Sequence, residues 1–290
     1  MKGRIDDMIY IGVTGWGDHD FLYQNRIKPS DKLAHYASHF PIVELDASFY
    51  AIQPKRNIEK WIEETPDSFQ FIVKAYQGMT GHARSDTIYD SETEMYEAFI
   101  HSIRPLYEAN KLVMVLFQFP PWFELKRENV QQLRQIKQRM GDFPVALEFR
   151  HQSWFYPVMK EKTLAFMKEE GWIHSICDEP QAGEGSIPTV LYPTHPYKTL
   201  VRFHGRNMYG WNRPKDKNWR EVRYLYRYKK KELLEWVQHI RTLEKQCEHI
   251  YVLFNNNSGG DAAQNAKEFI ELLGMTYDQL APRQLDLFSQ

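Results

Sequence analysis

Phe143–Phe155, FPVALEFRHQSWF, is the stretch on which the reading of the whole chain turns. Gly141 and Pro144 bound it upstream, and Val145-Ala146-Leu147 is a short apolar run of the kind that forms a strand buried on both faces. Glu148 and Arg150 follow on alternate residues, so both side chains project from one side of that strand. A carboxylate and a guanidinium at the end of a buried strand must pair or serve a ligand, because a lone charge there is costly. Two readings stay open: a structural ion pair closing the fold, and a ligand-gripping or catalytic pair.

Outward from this stretch the chain repeats one pattern of apolar strand, polar tip, loop and helix. Strands are expected at Ile9–Thr14, Ile42–Leu45, Phe69–Val73 and Leu112–Phe117 before it, and at Ile173–Cys177, Leu200–Phe203 and Ile250–Phe254 after it. Helices are expected from a Ser30 cap, from Pro54, from a Ser91/Glu94 capping box to about Ala109, over Lys126–Met140, Lys160–Glu170 and Lys230–Gln246, and from an Asp261 cap to Leu273. Eight strands alternating with helices is the arithmetic of a single (β/α)8 TIM barrel. A doubly wound open sheet fits less well, because it usually opens on a Gly-rich turn. The punctuated segment EPQAGEGSIPTVLYPTHPYK is an insertion after the sixth strand. The barrel domain is drawn as 1–274 and the tail as 275–290.

The bulk numbers exclude several classes. Net charge is −1, with 42% hydrophobic and 26% charged residues, which excludes a coat of bulk positive charge but not a local basic patch. Cys177 and Cys247 supply neither a disulfide framework nor metal-ligand spacing, as expected in a reducing cytoplasm. No apolar run has membrane-spanning length and MKGRIDDMIY lacks a signal core, so the expectation is a cytoplasmic chain with no membrane partner. There is no G-x-S-x-G elbow and no Walker loop.

In such barrels the site lies at the C-terminal ends of the strands. Those ends hold Trp16, Glu44, Asp46, Lys74, Gln118, Glu148, Arg150, Asp178, Arg202, His204 and Arg206, with Asn255, Asn256, Gly259 and Gly260 in the last loop. Loops after strands seven and eight, rich in glycine and leading to a helix start, commonly bind phosphate. Alternatively the glycines serve a plain turn and Asp261 a plain cap. Asp18-His19-Asp20 is too local to converge on one ion, and no early H-x-H is present. Glu44, Glu148, Asp178 and His204 would hold a divalent metal if the fold brought them together.

Arg213–Lys231 carries nine basic residues against two acidic, interleaved with Trp219, Tyr224, Tyr226 and Tyr228. That composition suits single-stranded or distorted nucleic acid, or else a solvated helix face with tyrosines packed on the barrel wall.

Longer motifs point to a family. Glu44–Tyr50 (E-x-D-x-S-F-Y), Val73–Ala75 (V-K-A), Phe117–Pro121 (F-Q-F-P-P), Ala146–Trp154 (A-L-E-F-R-H-x-S-W), Arg202–Asn207 (R-F-H-G-R-N) and Phe254–Ala266 (F-N-N-N-x-G-G-x-A-x-x-N-A) resemble the YecE-like family, domain of unknown function 72. The resemblance implies a TIM barrel and supplies no activity; where the family usually has Asn, this chain has Asp46.

The expectation drawn from these residues is a barrel whose mouth binds a phosphate-bearing substrate, nucleic acid or nucleotide, and hydrolyses a phosphodiester or glycosidic bond. Arg150, Arg202 and Arg206 hold the anion with Lys74, His204 donates a proton, Glu148 is the general base, and Glu44 or Asp178 a second carboxylate. A non-catalytic DNA-associated module and a small-molecule sugar-phosphate isomerase or hydrolase are the alternatives. Finally, Gln284-Leu285-Asp286-Leu287-Phe288 resembles the Q-L-S/D-L-F peptide that docks on the bacterial DNA sliding clamp. There Leu287 and Phe288 would fill an apolar pocket while Gln284 fixes register.

Overall fold

Along the strands, residues alternate between two apolar environments. Ile42, Ile72, Met114, Leu116, Ala146, Ile173, Leu200, Tyr251 and Leu253 pack together inside the sheet. Their neighbours Val43, Phe71, Val73, Val115, Leu147, Val201 and Val252 join the layer beneath the helices. A sheet apolar on both faces is what parallel strands covered by helices require. The computed structural model describes residues 9–23, 27–83, 88–183, 185–212 and 222–282.

The eight strands close into one parallel barrel in sequence order: β1 (Ile9–Thr14), β2 (Ile42–Leu45), β3 (Gln70–Lys74), β4 (Leu112–Gln118), β5 (Val145–Glu148), β6 (Ile173–Asp178), β7 (Lys198–Phe203) and β8 (His249–Phe254). Around it lie α1 (Lys32–Tyr36), α2 (Ala47–Tyr50), α3 (Lys55–Glu63), α4 (Glu92–Glu108), α5 (Arg127–Met140), α6 (Lys160–Glu169), α7 (Met208–Asn212), α8 (Lys230–Leu243) and α9 (Ala262–Leu273). Strand boundaries fall within two residues of the sequence expectation.

The Ser91 cap is present: its Oγ accepts from Glu94 N (3.1 Å), and the Glu94 carboxylate accepts from Asp90 N (2.8 Å). The other two expected caps differ. Ser30 sits inside a short 3-10 turn and donates to Asp31 instead. Asp261 precedes α9 without a side-chain cap bond.

The insertion after β6 folds back along that strand: Thr189 donates to Cys177 O (2.9 Å), and Thr194 to Trp172 O (2.6 Å). A boundary at residue 274 is corrected. Met275 is buried, Tyr277 Oη accepts from Ile11 N and donates to Ile9 O, and Ala281 N donates to Ala37 O, so residues 275–282 belong to the barrel. Gln284–Phe288 lies outside the described residues. Among those described, no helix is long and apolar enough to cross a membrane.

Candidate functional site

The inward-facing alternation continues past the apolar layer, and the strand ends then bear polar groups. Ile42 leads to Glu44, Ile72 to Lys74, Leu116 to Gln118, Ala146 to Glu148 and Arg150, and Leu200 to Arg202 and His204. Ile173 leads through Ser175 and Cys177 to Glu179. The barrel's inner floor is thus apolar and its mouth ionic.

The ionic groups form one chain. Arg202 donates from Nε and Nη2 to both oxygens of Glu44 (3.0 and 2.8 Å) and from Nη1 to Glu148 (2.8 Å). Arg150 pairs through Nε with Glu148 (2.9 Å) and through Nη1 with Glu179. Glu148 also accepts from Gln118 Nε2 (2.6 Å) and Ser175 Oγ (2.9 Å), and His204 Nε2 lies 3.2 Å away. Glu44, Glu148, Arg202 and His204 are fully buried. Fixed guanidinium forks are the groups best suited to satisfying buried carboxylates.

The protonation states follow from these partners. Arg202, Arg150 and His204 outweigh burial at Glu148 and hold its carboxyl well below the usual range. Burial, with Arg150, holds the His204 imidazole well below its ordinary pKa, so it stays neutral and carries a proton poorly at pH 7. Glu179, which accepts from Ile187 N at 2.7 Å, is the opposite case: burial raises it to about 7 despite Arg150. Burial likewise raises Glu44 and Asp46 and lowers Lys74, whose Nζ lies 4.5 Å from the centre of the Phe49 ring. A buried carboxyl titrating near neutrality is the group to look for in proton transfer.

A roof covers the chain. Two guanidiniums approach the Trp211 ring, with Arg223 Cζ 3.7 Å and Arg150 Cζ 5.5 Å from its centre. Tyr224 is held below its usual phenol pKa by Arg223, Arg150, Lys74 and Arg202. Residues 222–228 reach this position because glycines lie beneath them. A Cβ on Gly205 (φ +83°) would come within 2.6 Å of Tyr226 Cβ, one on Gly210 within 2.4 Å of Val222 O, and one on Gly259 within 2.7 Å of Leu225. Gly205 N donates to Tyr228 Oη (2.9 Å) and Gly260 N to Asn257 O (3.0 Å). Gly205 and Gly259 therefore serve close packing, and the amides of Gly205 and Gly260 are already engaged.

Several expected site residues stand elsewhere. Gly205 breaks the alternation after β7, so Arg206 turns outward to Asp178 (Nε to carboxylate, 2.9 and 3.0 Å) and Glu235 (3.3 Å). Asp178 and Arg206 thus pair with each other, away from the inner chain. Asn255 Nδ2 lies 3.0 Å from His204 Nδ1, while Asn256 donates to Tyr226 O and Asn265 Oδ1 and holds the loop. Trp16 packs edge-on against Trp61 of α3 at 5.1 Å. Of the basic segment, residues 213–221 lie outside the described residues.

A divalent cation fits this chemistry poorly. Glu148, Cys177 and His204 present ligand atoms within 4.8 Å of one another. Arg150 and Arg202 already occupy the Glu148 oxygens, Arg150 lies 3.0 Å from His204 Nε2, and burial keeps the Cys177 thiol protonated. A cation would have to displace two guanidiniums.

The sequence reading passed over Glu179, Ser175 and, Tyr50 apart, the exposed aromatic side chains of the same face. Phe21, Tyr50, Trp122, Tyr156 and Tyr209 follow β1, β2, β4, β5 and β7, and each is 39–74% exposed. Phe49 links Tyr50 to His82, which packs against Trp122 (5.1–6.0 Å between ring centres). The sequence signal for them is position, in the segment that follows a strand.

Residues 10–286 match the family described as "Protein of unknown function DUF72". The UPF0759 protein YunF of Bacillus subtilis is 64% identical over 282 residues, 97% of this chain and all of that protein. UPF0759 protein YecE of Escherichia coli K12 is 28% identical over 157 residues, 54% of each chain. Two solved structures share the whole architecture. A DUF72 family protein of Enterococcus faecalis V583 has a TM-score of 0.90 and 40% identity, covering 96% of this chain and 100% of that one. One from Thermotoga maritima has a TM-score of 0.79 and 31% identity, covering 92% and 99%.

Proposed function

From the premise that this chain belongs to the DUF72 family, we propose that its mouth binds single-stranded or distorted nucleic acid as its phosphate-bearing substrate and hydrolyses a bond in it. The observation that carries this reading is the union, on one face, of solvent-exposed aromatic rings with a buried carboxyl that titrates near neutrality. Rings such as Tyr50 and Trp122 offer stacking surfaces for bases, and Arg223 offers charge for phosphates. Glu179 is the proton donor and acceptor, positioned by Arg150. Glu148, Arg202 and Glu44 fix the guanidiniums. With those carboxylates committed to arginines, glycosidic cleavage assisted by Glu179 is favoured over metal-assisted phosphodiester cleavage. Substrate reaches Glu179 by displacing Trp211 and Tyr224.

Titration with a single-stranded oligonucleotide at 50 and 200 mM salt tests the binding. Engagement of about three phosphates weakens the affinity roughly 20-fold between those concentrations. Absence of binding at 50 mM, or binding indifferent to salt, overturns the reading.

Recruitment to the bacterial sliding clamp by Gln284–Phe288 is a separate part of the proposal and rests on the sequence of that peptide. Full-length protein should bind the clamp and a chain ending at Pro282 should not; equal binding by both removes this part alone.

A further inference from the structure

We propose that Lys74 is an amine nucleophile that forms an imine with a phosphate-bearing aldehyde held in the mouth. The inference rests on the reading of that mouth as a site for phosphate-bearing ligands and names the bond-forming group within it.

The other sequestered lysines among the described residues spend their ammonium groups on backbone carbonyls and, for Lys111, a hydroxyl as well. Lys111 donates to Ile62 O, Thr65 O and Thr65 Oγ1 (2.8–3.0 Å), Lys137 to Gly171 O (3.0 Å), Lys198 to Val113 O (3.2 Å) and Lys267 to His39 O (2.7 Å). Lys74 departs from this pattern. Its side chain follows Ile72 on the inward side of β3, and its Nζ packs over Phe49. Among the described residues that Nζ makes no hydrogen bond and no ion pair within 4 Å. A buried ammonium without acceptors is most easily accommodated as the neutral amine. Burial and the Arg202 guanidinium push it the same way, with Glu44 opposing. A neutral amine at a barrel mouth is a nucleophile towards carbonyl carbon.

The step balances without an added oxidant or reductant. The Nζ lone pair forms a C–N bond to the aldehyde carbon, and the carbonyl π pair moves to oxygen. A proton transfer from nitrogen to oxygen then gives the carbinolamine. Loss of water, with a proton supplied by the Asp46 carboxyl, leaves the imine. Burial raises that carboxyl, so it holds a proton more readily than an exposed one. The aldehyde chemistry is shared by two sources: the ring-opened deoxyribose of an abasic site in a DNA strand, and a free sugar phosphate.

Reductive trapping tests the proposal and separates the sources. Full-length protein is mixed with borohydride and one of three probes: a single-stranded oligonucleotide with one abasic site, the same oligonucleotide intact, or glyceraldehyde 3-phosphate. Hydride reduces the imine carbon and makes the link permanent, so intact mass and peptide mapping locate it. The expected result is an adduct on Lys74 with an aldehyde probe, none with the intact strand, and at least tenfold less in both Lys74→Gln and Lys74→Arg. Mapping on the unaltered chain gives the answer even if one variant folds poorly. Adducts scattered over surface lysines, trapping retained in Lys74→Arg, or no adduct with either aldehyde would overturn it. Trapping with the sugar phosphate alone keeps Lys74 as the nucleophile and removes the nucleic-acid reading. Binding of the intact strand without trapping does the reverse.

Discussion

Replacing Glu148 with alanine is expected to destabilise the protein by about 3–5 kcal/mol, as breaking a buried charge pair usually does. The magnitude follows from what the residue holds. Its carboxylate is fully buried and joins Arg150, Arg202, Gln118, Ser175 and His204. Removing it leaves two guanidiniums inside the barrel with one carboxylate partner each, Glu179 and Glu44. Chemical denaturation of the variant measures the loss, and a change under about 1 kcal/mol would show that the chain is not held together there. A simple general base at Glu148 would instead give a Gln variant that is stable and inactive. The carboxyl's depressed pKa opposes that role, because such a group accepts protons weakly at pH 7.

The second large effect concerns activity. Glu179→Gln is expected to lower turnover of the mouth's substrate by roughly 10²–10⁴, the usual worth of a positioned acid or base. Its pKa of about 7 sets the profile: the proton that Glu179 donates is lost as pH rises through 7, so the rate falls on the alkaline side. In the Gln variant that limb disappears. Stability carries the same sign. The folded pKa lies above the ordinary 4.5, so the contribution is complete below about 4.5 and is lost as pH climbs towards 7. An unchanged alkaline limb in Glu179→Gln would assign the titration to another group.

Much of the barrel was legible because each strand is an apolar run ending in a polar tip. Glu44, Glu148, Arg150, Arg202 and His204 were legible for a narrower reason: each stands two or four residues beyond an inward apolar residue of its own strand. The same count from Ile173 through Ser175 and Cys177 reaches Glu179. Ending the sixth strand at Cys177 and taking its next polar residue selected Asp178, which faces the helices and Arg206. The partnership of Glu44 with Arg202 spans 158 residues, and no local pattern reports which side chains meet across a closed barrel. Gly259 lies against Leu225, and a glycine required by a neighbour's bulk looks the same in sequence as one required by a ligand. Trp122 went unremarked because an aromatic residue is by default a core residue.

The clasp formed by residues 275–282 also fixes an orientation. Ala281 is tied to Ala37 just before β2, and Ser68 donates to Gln279 O just before β3, so the chain leaves the barrel at its base. The six residues from Arg283 through Phe288 reach at most about 21 Å when extended. A partner gripping them would therefore hold the barrel from behind on a short leash, with the mouth turned outward. The molecule seized at one pole need not be the one worked on at the other.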